Sequence, residues 1–230
     1  MSDDFFRFPH TPHLAWLGNG QPRDDKVLGL DEAKALLAQG EVVLEEKVDG
    51  ANLGFSVTED GELKMQNRGS YLTPESAHPQ FKSLWSWLKP HRHNLVDALW
   101  PDLMLFGEWL VAVHSLRYAR LPDWFLGFDV YDRASQTFWS TERRNTLLAT
   151  CELAPVAEVG RGRFTLEDIE ARLDTSRFGD GPMEGIVVRK EADGQTLARA
   201  KLVRAEFVQQ IGEHWSRGPI EKNVVPSQRR

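Results

Sequence analysis

The stretch Glu45-Glu46-Lys47-Val48-Asp49-Gly50-Ala51-Asn52 carries the densest polar signal in the sequence: a lysine closes an apolar run, and an Asp-Gly turn follows at once. A lysine at the end of an apolar strand can sit in a pocket, where the deprotonated amine is a nucleophile. A hairpin turn bearing a solvated lysine would read the same way, so this stretch alone decides nothing. Four further polar clusters fall at the ends of strand-like runs, namely Arg68-Gly69, Phe106-Gly107-Glu108-Trp109, Phe128-Asp129-Val130-Tyr131 and Glu184-Gly185-Ile186-Val187-Val188-Arg189-Lys190, and Lys201 comes after them.

In this order the clusters resemble motifs I, Ia, III, IIIa, IV and V of the covalent nucleotidyltransferase superfamily, which comprises ATP-dependent DNA ligases, RNA ligases and mRNA-capping enzymes. The match runs from residue 45 to residue 201. Within the superfamily the chain is most similar to RNA ligases of the type represented by the second RNA ligase of phage T4. Ala51-Asn52-Leu53-Gly54 lacks the arginine that DNA ligases usually carry soon after the motif I glycine, and Phe128-Asp129 is the pair that such RNA ligases place around adenine.

The resemblance implies ATP and Mg²⁺ (or Mn²⁺) as cofactors and a reaction in three steps. Lys47 takes AMP from ATP and releases pyrophosphate, AMP passes to an RNA 5′-phosphate, and a 3′-hydroxyl then displaces AMP. It also implies residue roles. Glu46, Phe128 and Asp129 belong at the adenine, Asp49 at the turn or the ribose, Asn52 in the nucleotide site, and Glu108 at the ribose. Glu184 belongs at the metal or the sugar. Lys201, Arg189 and Arg199 meet the nucleotide phosphates, and Arg68 meets the phosphate of AMP or of the RNA 5′ end. Carboxylates suit their tasks because they accept hydroxyl hydrogen bonds and ligate hard cations through oxygen. Phe128 would orient a purine on its apolar face; without the motif it would read as a core phenylalanine.

For attack on phosphorus Lys47 must be neutral, yet a lysine of pKa about 10.4 is uncharged in only about one molecule in 2,500 at neutral pH. Neighbouring cations such as Lys201, Arg199 and a bound divalent metal would favour the neutral amine, whereas a carboxylate touching it would not. Glu46 and Asp49 are therefore expected to act elsewhere.

The sequence departs from the family pattern in three places. Arg199-Ala200-Lys201 stands where a lysine pair is common, and Arg189 stands where many relatives have lysine. Little chain follows Lys201, too little for an OB-fold or a helical C-terminal domain, so recognition of RNA ends or a nicked duplex would draw on a partner such as an end-processing kinase or phosphatase. A minimal DNA ligase or a capping guanylyltransferase is the alternative within the class. A catalytically idle relative that binds nucleotide or RNA is the alternative outside it.

The elements that must position these residues are read from periodicity. Residues 30–39 have helical spacing with Asp31 as the expected cap and Gly40 as the stop. Strands are predicted over residues 41–48, 52–58, 62–67, 103–111, 124–131, 183–190 and 196–203. Pro79, Pro90 and Pro101 bound two short helices at 81–88 and 94–99. Helices at 141–150 and 165–173 each open on a threonine suited to capping, and 205–215 is amphipathic. Such an order lacks the strict alternation of a doubly wound sheet and predicts an α+β nucleotidyltransferase domain of antiparallel sheets flanked by helices. That domain is expected over residues 30–204, with residues 1–29 as an arm packed on it and 205–230 as a terminal helix and tail.

Composition supports a folded, cytoplasmic protein. At 230 residues and 41% hydrophobic content the chain can bury a full core, and no run of eighteen apolar residues occurs. The net charge of −6 excludes a protein that coats nucleic acid by charge alone, so phosphate contact must be local. The one cysteine, Cys151, rules out an internal disulfide and is assigned to packing. His10 and His13 with Asp3 and Asp4, and His91 with His93, have no metal-specific spacing, and neither a P-loop nor a Rossmann fingerprint is present.

Overall fold

The computed structural model describes residues 5–19, 22, 26–38, 40–209 and 220–226. Antiparallel pairing dominates, with helices laid on the sheets, which is the α+β class that the strand-rich sequence predicts. In chain order the elements are α1 (Leu30–Ala38), β1 (Val42–Lys47), β2 (Ala51–Val57), β3 (Leu63–Gln66), α2 (Leu84–Leu99), β4 (Leu103–Trp109), β5 (Phe125–Asp132), β6 (Thr137–Trp139), α3 (Thr141–Thr150), β7 (Ala154–Pro155), β8 (Glu158–Gly162), α4 (Leu166–Glu170), β9 (Gly185–Ala192), β10 (Gln195–Val203) and α5 (Ala205–Gln209). No helix among the described residues is long and apolar enough to cross a membrane.

The chain divides into two units. One comprises Met1–Pro9, Gly50–Ala112 and Pro122–Pro155; the other comprises His10–Asp49, Val113–Leu121 and Val156–Arg230. In the first unit the strands run in the order β3-β2-β4-β5-β6, and β7 pairs with β5 in parallel. Alternation along β2 and β4 sends Leu53, Phe55, Val57, Leu105 and Trp109 to one face, where they pack with leucines of α2 and α3. In the second unit the order is β10-β9-β1-β8, and Val42, Leu44, Ile186, Val188, Ala200 and Leu202 face a core that includes Leu14, Leu36 and Ile169.

Several local expectations need correction. Pro90, expected to separate two helices, lies inside one 16-residue helix. Leu84, Leu88, Leu95 and Leu99 form a single buried stripe along α2. Burying each contributes about 1.5–3 kcal/mol, and together they outweigh the roughly 3 kcal/mol cost of an interior proline. Helix α1 opens two residues earlier than a cap at Asp31 implies: the Gly29 amide donates to Glu32 Oε2 at 2.8 Å and its carbonyl accepts from the Ala33 amide at 2.9 Å, so Gly29 rather than Asp31 occupies the cap. Gly40 does take the left-handed conformation, at φ +84°. Helix α3 is capped by Ser140, whose Oγ accepts from the Arg143 amide, and not by Thr141. In α4 Thr165 forms a full capping box with Asp168. The predicted helix 205–215 is helical from Ala205 to Gln209, and its remainder lies outside the described residues, as do Asp3 and Asp4.

Cys151 is buried with Sγ 3.6 Å from the Asn94 carbonyl, and burial pushes its thiol up to about 11, which fits a packing role. Two tests of the first unit follow from its packing. A Cβ at Gly107 would stand 2.3 Å from the Phe125 ring and 2.5 Å from the Leu126 carbonyl oxygen. Backbone cannot yield there, so Gly107→Ala is expected to cost at least about 3 kcal/mol in denaturant melts, at or above the usual range for overpacking.

The second test concerns Asp123, whose Oδ1 accepts from both Trp87 Nε1 (2.8 Å) and the Trp124 amide (2.6 Å), while burial holds its carboxyl above the usual range. A carboxyl raised in the fold stabilises while protonated, and that contribution is lost as pH rises through the folded value. Asparagine keeps the shared acceptor without the charge. Asp123→Asn should therefore melt higher than wild type at neutral pH, with the gap closing as pH falls toward the ordinary aspartate range. An equal gap at every pH would refute the assignment.

Candidate active site

Register within the second unit decides which side chains meet. Lys47 pairs with Gly185, Glu45 with Val187, and Val43 with Arg189; on the next strand Lys201 faces Val187 and Arg199 faces Arg189. Residues opposite one another in a sheet share a face, so Lys47, Glu45, Arg189, Arg199 and Lys201 all project from the face that turns away from the core of Leu44, Ile186 and Leu202. Sequence spacing alone could not bring the late lysine to the early one; two antiparallel pairings do.

At the end of β1 the Lys47 amine lies 2.7 Å from Glu184 Oε1 and 2.6 Å from Oε2, so one carboxylate holds it with both oxygens. Glu184 stands just before β9. Burial pushes its carboxyl above the ordinary glutamate range, the Lys47 charge opposes this, and Asp49 adds to it. Lys201 also lowers it, so these four groups share one electrostatic neighbourhood. Arg189 is almost fully buried, its Nε donating to Glu45 Oε2 at 2.6 Å. An arginine held so firmly by a carboxylate keeps its planar guanidinium in one orientation. Arg199 is half-buried on the same face.

The residues flanking Lys47 serve as anchors. Alternation turns Glu46 to the opposite face, where Oε1 accepts from the Ser176 hydroxyl and Oε2 from the Arg177 amide at 2.8 Å. Burial raises its carboxyl. Expected at the adenine, Glu46 here holds the loop before β9. Asp49 accepts from the amides of Ser115 (2.6 Å) and Leu116 (3.2 Å) through Oδ2, which fits a role at the turn. Neither of these two carboxylates touches the Lys47 amine, as the sequence reading expects; the contact from Glu184 is the one that it did not anticipate.

In the first unit a second set shares a face. Asn52 pairs with Glu108, and Glu108 Oε1 accepts from the Gly50 amide at 3.1 Å. Between β4 and β5 Phe106 faces Asp129 and Gly107 faces Gly127, leaving Phe128 as an extra residue in a β-bulge. The bulge puts Phe128 and Asp129 together on the face of Phe106, away from the α2 and α3 core. Phe128, expected to meet a purine, is half-buried and meets the ring of Phe8 edge-on at 5.3 Å. Arg68 is exposed in a turn whose Gly69 and Ser70 amides both donate to Asn67 Oδ1 at 2.8 Å.

Sequence reasoning missed Glu45, Tyr118, Ser176 and Asn223. Glu45 stood in plain view beside Lys47, and strand alternation would have set it, rather than Glu46, on the lysine's face. The other three act through contacts far apart in the chain and left no local signal.

Solved structures with the same fold place the architecture. A mutant of the Naegleria gruberi RNA ligase with ATP and Mn aligns at a TM-score of 0.59 and 18% identity over 75% of this chain and 54% of that one. The same ligase with PPi gives 0.59 and 17% over 92% and 63%. A further mutant with AMP and Mn gives 0.60 and 17% over 88% and 63%. The fold is thus that of an RNA ligase nucleotidyltransferase-type domain, and the chain spans less than two thirds of the length of the ligases that it matches. No curated protein matches it in sequence. The family model for RNA ligase matches residues 40–203, and the chain belongs to the RNA ligase family.

Proposed function

We propose that this chain is the nucleotidyl-transferring part of an ATP-dependent RNA ligase, with Lys47 as the residue that becomes adenylylated. The observation that carries the reading is the Lys47 amine held by Glu184 on a sheet face that also bears Arg189, Arg199 and Lys201. In the first step Lys47 Nζ bonds to the α-phosphorus of ATP, the bond from that phosphorus to the bridging oxygen breaks, and pyrophosphate leaves with the electron pair. Arg199 and Lys201 are assigned to the charge on the phosphate oxygens, with Arg189 fixed beside them by Glu45. The same reading assigns Asn52, Glu108, Phe128 and Asp129 to the nucleoside and Arg68 to the RNA phosphate.

As the protein stands, the carboxylate pair of Glu184 favours the charged amine, so attack requires that contact to open. Glu184, with the Asp49 carboxylate in the same electrostatic neighbourhood, fits Mg²⁺, which is usually held by one or two carboxylates with phosphates and water completing its shell. Glu184 would hold it, and the ion would supply positive charge that competes with Lys47 for this carboxylate and offsets charge on the phosphates. The AMP then passes to an RNA 5′-phosphate, and a 3′-hydroxyl completes the seal. Enzymes that trim or phosphorylate broken ends are the expected partners in an RNA-repair role, because the reaction needs a 5′-phosphate and a 3′-hydroxyl.

The test is to incubate the protein with Mg²⁺ and either labelled ATP or labelled GTP, denature it, and look for label on the chain. Label from ATP alone is expected. Label from GTP alone, or none from either, would overturn the reading. Nicked RNA, RNA ends and nicked DNA offered in parallel then identify the strand that is sealed.

A further inference from the structure

Tyr118 is fully buried, and its polar atoms serve two separate segments of the second unit. Its hydroxyl accepts from the Asp49 amide at 2.8 Å, two residues after the nucleophile. Its own amide donates to Asn223 Oδ1 at 2.8 Å, and its carbonyl accepts from the Val224 amide at 2.9 Å. The next two amides, of Ala119 and Arg120, both donate to the Phe178 carbonyl at 2.9 and 2.8 Å. Two further bonds run alongside, from the Val113 amide to the Glu221 carbonyl (2.9 Å) and from the Leu121 amide to the Val224 carbonyl (3.1 Å).

Combined with the anchors already described, these bonds close a circuit. Asp49 holds residues 115 and 116, Glu46 holds residues 176 and 177, and the Tyr118 stretch ties both segments to residues 221–224. Thus the carboxylates on either side of Lys47 each fasten one segment, the Ala119 and Arg120 amides fasten those segments to each other, and Tyr118 with Asn223 fastens them to residues 221–224. The apolar core of this unit lies elsewhere, around Leu44, Ile186 and Leu202. The circuit is polar, is centred on the buried side chains of Glu46, Tyr118, Ser176 and Asn223, and is concentrated on the backbone that carries the nucleophile.

We infer that Tyr118 and Asn223 are positioning residues for Lys47, and that residues 221–224 are a strap belonging to the active centre rather than a tail. This rests on the assignment of Lys47 as nucleophile. The physical demand is geometric: attack in line on phosphorus needs the amine placed within a fraction of an ångström, and a misplacement of about 1 Å can cost roughly 100-fold in rate. The Tyr118 hydroxyl pins the turn at Asp49, which leaves the Lys47 side chain as the moving part on a fixed base.

Single-turnover labelling of the full chain with ATP and Mg²⁺ tests this on Tyr118→Phe and Asn223→Ala. Phenylalanine fills the same space and removes only the acceptor of the Asp49 amide; alanine removes the acceptor of the Tyr118 amide. Both variants are expected to label to full amplitude with a rate constant at least about tenfold lower, and with half-saturation by ATP little changed. A purely structural role predicts the reverse, a smaller labelled fraction that reacts at the wild-type rate, and that result overturns the inference. Wild-type rate and amplitude in both variants overturn it too. An unlabelled wild-type chain instead removes the nucleophile assignment, and the inference falls with it.

Discussion

Lys47→Ala is expected to leave the chain without detectable label after incubation with ATP and Mg²⁺, while a strand that already carries a 5′-adenylyl group is still sealed. The two halves of the result have different causes. Formation of the phosphoramidate needs a side-chain amine at that point, and Lys201, on the same face, sits on β10 beyond β9 and opposite Val187, two residues along from the position level with Lys47. Its place suits a counter-charge for phosphate and not a substitute nucleophile. In the last step Lys47 forms no bond to the strand, so its loss should be tolerated there. Arginine at position 47 would be as inactive as alanine in labelling, since a guanidinium cannot be deprotonated in a protein. Label persisting at the wild-type level in Lys47→Ala would show that another residue is the nucleophile.

The second large effect is expected at Glu184. Glutamine there preserves shape and one carbonyl acceptor but removes the negative charge that holds the Lys47 amine with both oxygens and would hold a divalent cation. The labelling rate should fall by about 100- to 1,000-fold, the range seen when a single preorganised electrostatic group is removed from an active site. Global stability should change little, because the Lys47 side chain is 27% exposed and remains hydrated when its partner is neutral. A variant that melts normally and labels as fast as wild type would remove Glu184 from the reaction. A contrasting outcome is expected at Glu45. There both partners of the Arg189 pair are almost fully buried, so removing the carboxylate strands a charge and destabilises the fold before any effect on labelling can be read.

These expectations differ in how much of their basis the sequence displayed. The strands that carry Lys47, Asn52, Glu108, Phe128 and Arg189 were each visible as alternating or apolar runs, because short-range period and turn residues suffice for that. The presence of Arg189, Arg199 and Lys201 on one face with Lys47 was not visible, since it depends on the registers of β1, β9 and β10, which involve chain separations far beyond any local pattern. The continuity of α2 through Pro90 was hidden for a related reason: the propensity of one residue is local, whereas the packing of Leu84, Leu88, Leu95 and Leu99 that overrides it is tertiary. The short strands β6, β7 and β8 have too few residues to establish a period. Glu46 shows the opposite case. Its placement opposite Lys47 follows from strict strand alternation, which motif position alone does not convey.

The bulge at Phe128 sets a limit on chain length as well as on composition. Before it, Phe125 and Gly127 look toward the helices; after it Val130 does, and the extra residue is what lets Phe128 and Asp129 stand side by side looking the other way. Excising Phe128 would restore simple alternation, with Gly127 and Asp129 still opposite Gly107 and Phe106 and every flanking side chain on its present face, but that face would lose one of its two adjacent side chains. Homologous chains should therefore vary in the identity of residues around this point far more readily than in their number, and insertions or deletions should collect in the connections outside β4 and β5.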